Sequence, residues 1–296
     1  MTKKTRNWLL ALFILTCPFV LFFTFLVFME EPLPPATPLP NPNGYENLVK
    51  AGVMLANDTG DFTETNAAQV RKIVSINAAA LSLARAGLSN QCRVPVQYSE
   101  FFNSNHVSDL APIKFLARAF IAEGRLAEME NRPADAAKSY LDTFHLGSEA
   151  ARGGLLIDGL VGIAIEEIGR DHLQKLVPHL DAIVCRATAD ALEVLDSNKQ
   201  SWDELMQQES AWSHAAFHGW RYELARLREH KSVTPAMAAT RRKLNAQEQK
   251  TRGLIIVLAA RAYELDKGHP PASAADLVPE YLKAVPKNPV TGKNLN

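Results

Sequence analysis

The sequence predicts an all-α protein: a single N-terminal transmembrane helix, a helical bundle behind it and a small C-terminal tail. Three observations carry this expectation. Residues 8–29 contain no charged side chain and are largely apolar. From about Gly44 to Lys267 apolar residues recur at helical spacing, and no segment sustains the period-two alternation of a half-buried strand. Of 296 residues, 47% are hydrophobic and 22% charged, which permits a sizeable core and excludes global disorder.

Charge and cysteine content narrow the function classes before any motif does. Lys and Arg together number 32, as do Asp and Glu, so the formal net charge is zero. A general nucleic-acid binder would carry a basic excess. Three cysteines are too few for a disulfide-stapled mini-domain and too scattered for a zinc site. No Ser nucleophile elbow, Walker loop or dinucleotide fingerprint occurs, so no cofactor is expected.

Residues 1–7 form a short basic tail with Lys3, Lys4 and Arg6. The run 8–29, about 22 residues, would reach about 33 Å as a helix, enough for a hydrocarbon core of about 30 Å. Trp8 stands at interface depth, Met29 closes the run, and Pro18 lies mid-span, where proline kinks a membrane helix without breaking it. Basic residues precede the run and Glu30 and Glu31 follow it, which sets the N-terminus in the cytoplasm and the rest outside. A cleaved signal peptide is the competing reading. Its apolar region would be about 7–15 residues and end in small residues, whereas this run ends Phe25-Leu26-Val27-Phe28-Met29. Cys17 follows Thr16 and precedes more apolar residues, unlike a lipidated cysteine.

Residues 30–43 are a Pro-rich linker, EEPLPPATPLPNPN. Such chains extend at about 3.1 Å per residue and act as semi-rigid spacers; docking into an aromatic groove is the alternative. Residues 44–250 are expected to be the extracytoplasmic helical domain. Tyr45, Leu48, Val49, Gly52 and Leu55 share one helical face. Ala67 to Leu88 carries Val70, Ile73, Val74, Ile76, Leu81 and Leu83, with Arg85 in the last turn and a stop at Gly87-Leu88-Ser89-Asn90. Residues 89–107 read as a long polar loop. Ser108-Asp109 then starts a helix to about Asn131, with Pro112 in its first turn. Pro133 opens another to about Arg152, and Gly153-Gly154 separates it from an apolar helix, Leu155 to Leu176. Further helices are expected over about 186–197, 200–230 and 235–266.

The helices near 113–131 and 133–152 resemble a tetratricopeptide hairpin. Phe120, Gly124, Ala136 and Tyr140 fall at the repeat's aromatic, glycine, alanine and aromatic positions. Glu123 and Ala127 depart from the pattern, Thr143 matches only in size, and no second copy appears near a period of about 34.

Residues 251–296 form a distinct tail. Leu254 to Leu265 is an apolar helix ended by Gly268, with Pro270-Pro271 preventing continuation and Ser273 placed to cap a short helix with Asp276. Tyr263, Gly268, Pro270, Leu277, Tyr281, Leu282, Pro286, Pro289 and Gly292 resemble the body of type II secretion major pseudopilins. The family's peptidase motif, membrane-helix glutamate and acidic calcium loop are missing, so the resemblance does not bring filament assembly with it. As a whole the arrangement is similar to a group of uncharacterised bacterial membrane-anchored envelope proteins with a helical domain. That similarity implies an architecture and no established activity, and the apolar run with its flanking charges sets the expected location as the bacterial inner membrane.

Candidate chemistry is sparse. His214 and His218 share a helical face, but Ala215 and Ala216 stand where a zinc protease has its glutamate, and Trp212, Phe217 and Trp220 suit an amphipathic helix better. Glu166, Glu167, Asp171 and His172 could serve acid–base chemistry in a cleft, but read more simply as the solvated end of a buried helix. Basic runs such as Arg241-Arg242-Lys243 are offset by nearby acids. Cys92 and Cys185 would lie in an oxidising compartment, where either a disulfide or two lone thiols is open. The expected function is a membrane-anchored scaffold or protein-interaction module of the cell envelope. Its expected partners are the lipid bilayer and an envelope protein, with no nucleic acid. The alternatives are an envelope hydrolase with an acidic or His-containing cleft, and an accessory subunit of a secretion-like assembly.

Overall fold

The computed structural model describes residues 8, 16–25, 38–56, 66–99, 102–216 and 220–295, with the side chains of 103–105, 220–234 and 236 outside the description. Among these residues the regular structure is helical, as the sequence predicts. Residues 16–25 form α1. It is followed by α2 (Gly44–Met54), α3 (Ala67–Leu88), α4 (Phe102–Met129), α5 (Pro133–Ala151), α6 (Leu156–Leu176), α7 (Ala182–Ser197), α8 (Trp202–Ala216) and α9 (Trp220–Lys267). Short 3-10 turns occupy Val177–His179 and Ala274–Leu277.

Side-chain caps decide several helix starts. Asn43 accepts a hydrogen bond from the Tyr45 amide at 3.2 Å, Asn66 from Ala68 at 2.9 Å and Asp181 from Val184 at 2.8 Å. Each satisfies one of the orphan amides at a helix N-terminus. Pro133 sits at the first position of α5, where its missing N–H costs nothing. The α5–α6 corner turns on Gly153, whose φ of +70° lies in the left-handed region that favours glycine.

Two apolar clusters form the interior. The first joins α2, α3 and α4 through Tyr45, Leu48, Leu81, Ile113, Leu116 and Phe120. The second joins α5, α6, α7, α9 and the tail through Tyr140, Phe144, Leu173, Leu192, Leu258 and Tyr281. The α4–α5 hairpin contributes to both. A Cβ at Gly124 would lie 2.3 Å from the Tyr140 ring, so the two helices approach as closely as glycine allows. Glu123, which departs from the repeat pattern, has structural work of its own. It is ion-paired with Arg85 of α3 and accepts a 2.7 Å hydrogen bond from Ser139.

The structure differs from the sequence expectation at four places. First, α4 begins at Phe102 rather than near Ser108, because Phe102 and His106 are buried and stack 4.8 Å apart. Pro112 therefore lies inside the helix, against Gly52 of α2. Second, α7 starts at Ala182 because Asp181 caps it. Third, α8 ends at Ala216 and α9 runs unbroken from Trp220 through Pro235 to Lys267. Fourth, of the large apolar residues that mark α3 in the sequence, Val70 and Leu81 are buried while Ile76 is 52% exposed.

The tail docks on the second cluster. Gly268 (φ +78°) ends α9, and the Ser273 amide donates to Asp276 at 2.8 Å in the capping arrangement read from the sequence. Leu277, Tyr281 and Leu282 are buried, and the Tyr281 ring packs 5.4 Å from Tyr263 with the Arg186 guanidinium 4.6 Å above it.

Among the described residues no helix is long and apolar enough to cross a membrane. Much of the run 8–29, including Met29, lies outside those residues, as do Lys3, Lys4 and Arg6. Trp8 and Pro18 are helical and exposed, and so are Phe19, Phe22, Phe23 and Phe25 of α1. Of the Pro-rich stretch, residues 38–43 are described. They lie against the helical body: Asn43 is buried, and Pro38, Leu39 and Pro40 line a cleft.

Candidate binding cleft

A concavity lies where residues 38–40, the loop 89–93, the end of α5 and Asn198 meet. It encloses about 730 Å³. A second lobe of about 260 Å³ continues along the loop from Arg93 to Tyr98, with Gly153 and Gln208 on its far side. Leu39 and Arg93 belong to both lobes. Their joint size falls in the range of small-molecule sites.

The loop is held extended by local hydrogen bonds. Gly44 donates its amide to Gln91 at 2.9 Å, Asn43 clamps both backbone groups of Arg93 at 2.8 and 2.9 Å, and Val94 donates to Arg152 at 3.0 Å. One asparagine therefore caps α2 and fixes the middle of the cleft wall.

The opposite wall is an ion pair at the end of α5. Arg152 donates to both oxygens of Glu149 at 2.6–3.1 Å and to the Asn198 carbonyl at 3.1 Å. These hydrogen bonds hold the Arg152 guanidinium protonated more firmly than usual. His145 stands 4.0 Å from Glu149, and burial lowers its basicity, favouring the neutral ring. Cys92 lies in the floor; burial, then the Glu149 charge, push its thiol up to about 12. A thiol so shifted is protonated at neutral pH and is no nucleophile. The cleft is thus lined by an engaged ion pair, a neutral imidazole, a protonated thiol and the apolar Leu39.

Of the candidate site residues read from the sequence, Cys92 lines this cleft. Cys185 is buried in the other cluster, its thiol raised to about 11 by burial, and both cysteines are free. Gly124 meets Tyr140 in the α4–α5 hairpin, Phe120 belongs to the first cluster and Ala136 to the second, and none of the four lines the cleft. His218 lies outside the described residues, and among those described no group of three or more His, Cys, Asp or Glu could hold a metal.

The acidic group on α6 is rearranged relative to the sequence reading. Glu166 is not at a solvated end. It is buried and accepts a 2.7 Å bond from Lys199; burial outweighs that cation and raises its carboxyl above the usual range. Glu167 pairs instead with Lys250 and Arg170 at 3.0 and 3.1 Å. His172 packs at a tilt against Tyr140, 5.1 Å between centroids, and burial lowers its basicity. Asp171 shares Arg170 with Glu167, at 2.7 Å, whereas Glu166 and His172 each have a partner of their own.

The sequence reading missed a buried pair between α4 and α6. His106 Nε2 lies 2.5 Å from Asp158 Oδ1, and the other Asp158 oxygen accepts the Leu155 amide at 2.7 Å. The Tyr45 hydroxyl is buried nearby without a hydrogen-bond partner among the described residues, and burial together with the Asp158 charge raises its pKa well above normal. The capping position of Asp158 was readable three residues after Leu155; its partner 52 residues away was not. Comparison with family models, with curated proteins and with solved structures gives no match to this chain.

Proposed function

We propose that the protein is a membrane-anchored, extracytoplasmic helical binding module of the bacterial cell envelope, acting by recognition rather than catalysis. The observation that carries this reading is the two-lobed cleft, with its donors fixed and its one thiol protonated. The anchor is supported by the uncharged run 8–29 between Lys3, Lys4, Arg6 and Glu30, Glu31, and by the exposed phenylalanines of α1. The tetratricopeptide-like hairpin supports an interaction role by analogy alone. The hydrolase alternative is weakened by the separation of Glu166 from His172.

The test is membrane topology of the full chain. The protein is expected to stay with the bilayer in alkaline carbonate. Protease added to spheroplasts should digest the part beyond residue 43 and leave a short anchored fragment. Release into the carbonate supernatant, or full protection until the cells are lysed, would overturn the anchored topology.

A further inference from the structure

Arg93 stands out among the charged groups of the cleft. Arg152 is neutralised by Glu149, and burial favours the neutral form of His145. Arg93, half-buried at the junction of the two lobes, has no ion-pair partner among the described residues. A half-buried arginine with no ion pair among those residues leaves its donors open to an anionic ligand.

The position is also built. Asn43 pins the Arg93 backbone from both sides. Its side chain lies over Gly153: a Cβ there would come within 2.8 Å of Arg93 Cγ and 3.0 Å of Nε. Gly153 is itself fixed, its amide donating to Gln200 at 3.0 Å. The glycine thus serves the turn and the seating of the arginine together. Apolar Leu39, Pro40, Val94 and Val96 are among the residues lining the two lobes that Arg93 joins.

The geometry points to Arg93 as the anchor of an oxyanion-binding site, which takes a small molecule carrying a carboxylate or phosphate group on an apolar body. The planar fork of arginine matches both groups in bidentate fashion. The inference rests on the reading of the cleft as a recognition site, and names the chemistry recognised.

The experiment is phenylglyoxal modification of the full-length protein in detergent, with each arginine's rate followed by mass spectrometry. The probes are inorganic phosphate and butyrate. Exposed Arg118, beside Phe115, serves as the internal control. Either probe at about ten times its Kd should slow modification of Arg93 about tenfold, following the occupancy factor 1 + [L]/Kd, and leave Arg118 unchanged. The same probe should raise the Tm of the wild type and not that of Arg93→Gln. Protection by phosphate alone assigns a phosphate ligand, by butyrate alone a carboxylate, and by both the shared group. No protection by either probe, or equal protection of Arg118, would overturn the site. The topology measurement is independent of this outcome, so failure of one reading is distinguishable from failure of the other.

Discussion

Glycines in this chain do opposite things, and the difference is readable atom by atom. Gly124 faces the Tyr140 ring so closely that a methyl group would overlap it, whereas a Cβ at Gly253 of α9 would meet nothing within 4 Å. Gly124→Ala should therefore destabilise the fold by about 1–3 kcal/mol through overpacking. Gly253→Ala should stabilise it by about 0.5–1 kcal/mol, since alanine loses less entropy in a helix. Thermal denaturation followed by circular dichroism separates the two; equal effects would mean that the α4–α5 approach is not set by this contact. The sequence pattern singled out Gly124 and Tyr140, because the spacing of small and aromatic residues is local. It could not single out Arg93, because nothing local distinguishes an arginine that lacks a partner.

At the scale of elements, the helix ends carry the same lesson. The stop at Ser89 and Asn90, the start at Pro133, the break at Gly153-Gly154 and the Ser273–Asp276 cap were legible, because each is a backbone signal spanning a few residues. The start of α4 was not, because burial of Phe102 and His106 against distant segments decides it. Asp158 connects the two kinds of information: it caps α6 locally and holds His106 of α4 across the core. Asp158→Ala should cost about 2–4 kcal/mol, the sum of a lost cap and a buried imidazole left without its partner. Urea titration would measure it. A loss under about 1 kcal/mol, the size of a cap alone, would show that the His106 contact contributes nothing.

For the whole molecule, a net charge of zero hides an uneven interior. Glu166, Lys199, Asp196, Arg252 and Glu248 tie α6, the end of α7 and α9 together, with Glu166 and Glu248 both raised by burial. A carboxyl whose folded pKa exceeds its unfolded value of about 4.3 binds more protons in the native state across that interval. Stability contributed by such groups is thus greatest below pH of about 4.3 and is lost as pH rises toward the folded pKa. Glu166→Gln should flatten that fall in a series of denaturant midpoints against pH; an unchanged slope would exclude Glu166 as its source. The sequence reading expected Glu166 at a solvated helix end. Composition and periodicity define which face is apolar, but not which charged residue a partner 33 positions away will draw inside. The all-α class was legible because periodicity is continuous over the chain; the cleft was not, because its walls come from four separate stretches.

One wall of that cleft is Pro38-Leu39-Pro40, the stretch that leads back toward the apolar N-terminal run. The other walls belong to the helical body. Mechanical load on the arm therefore acts on one side of the cleft only, and pulling residues 38–40 away would widen it while the rest stays in place. By linkage, anything that grips both walls resists that pull, and any pull on the arm weakens the grip by the same free energy.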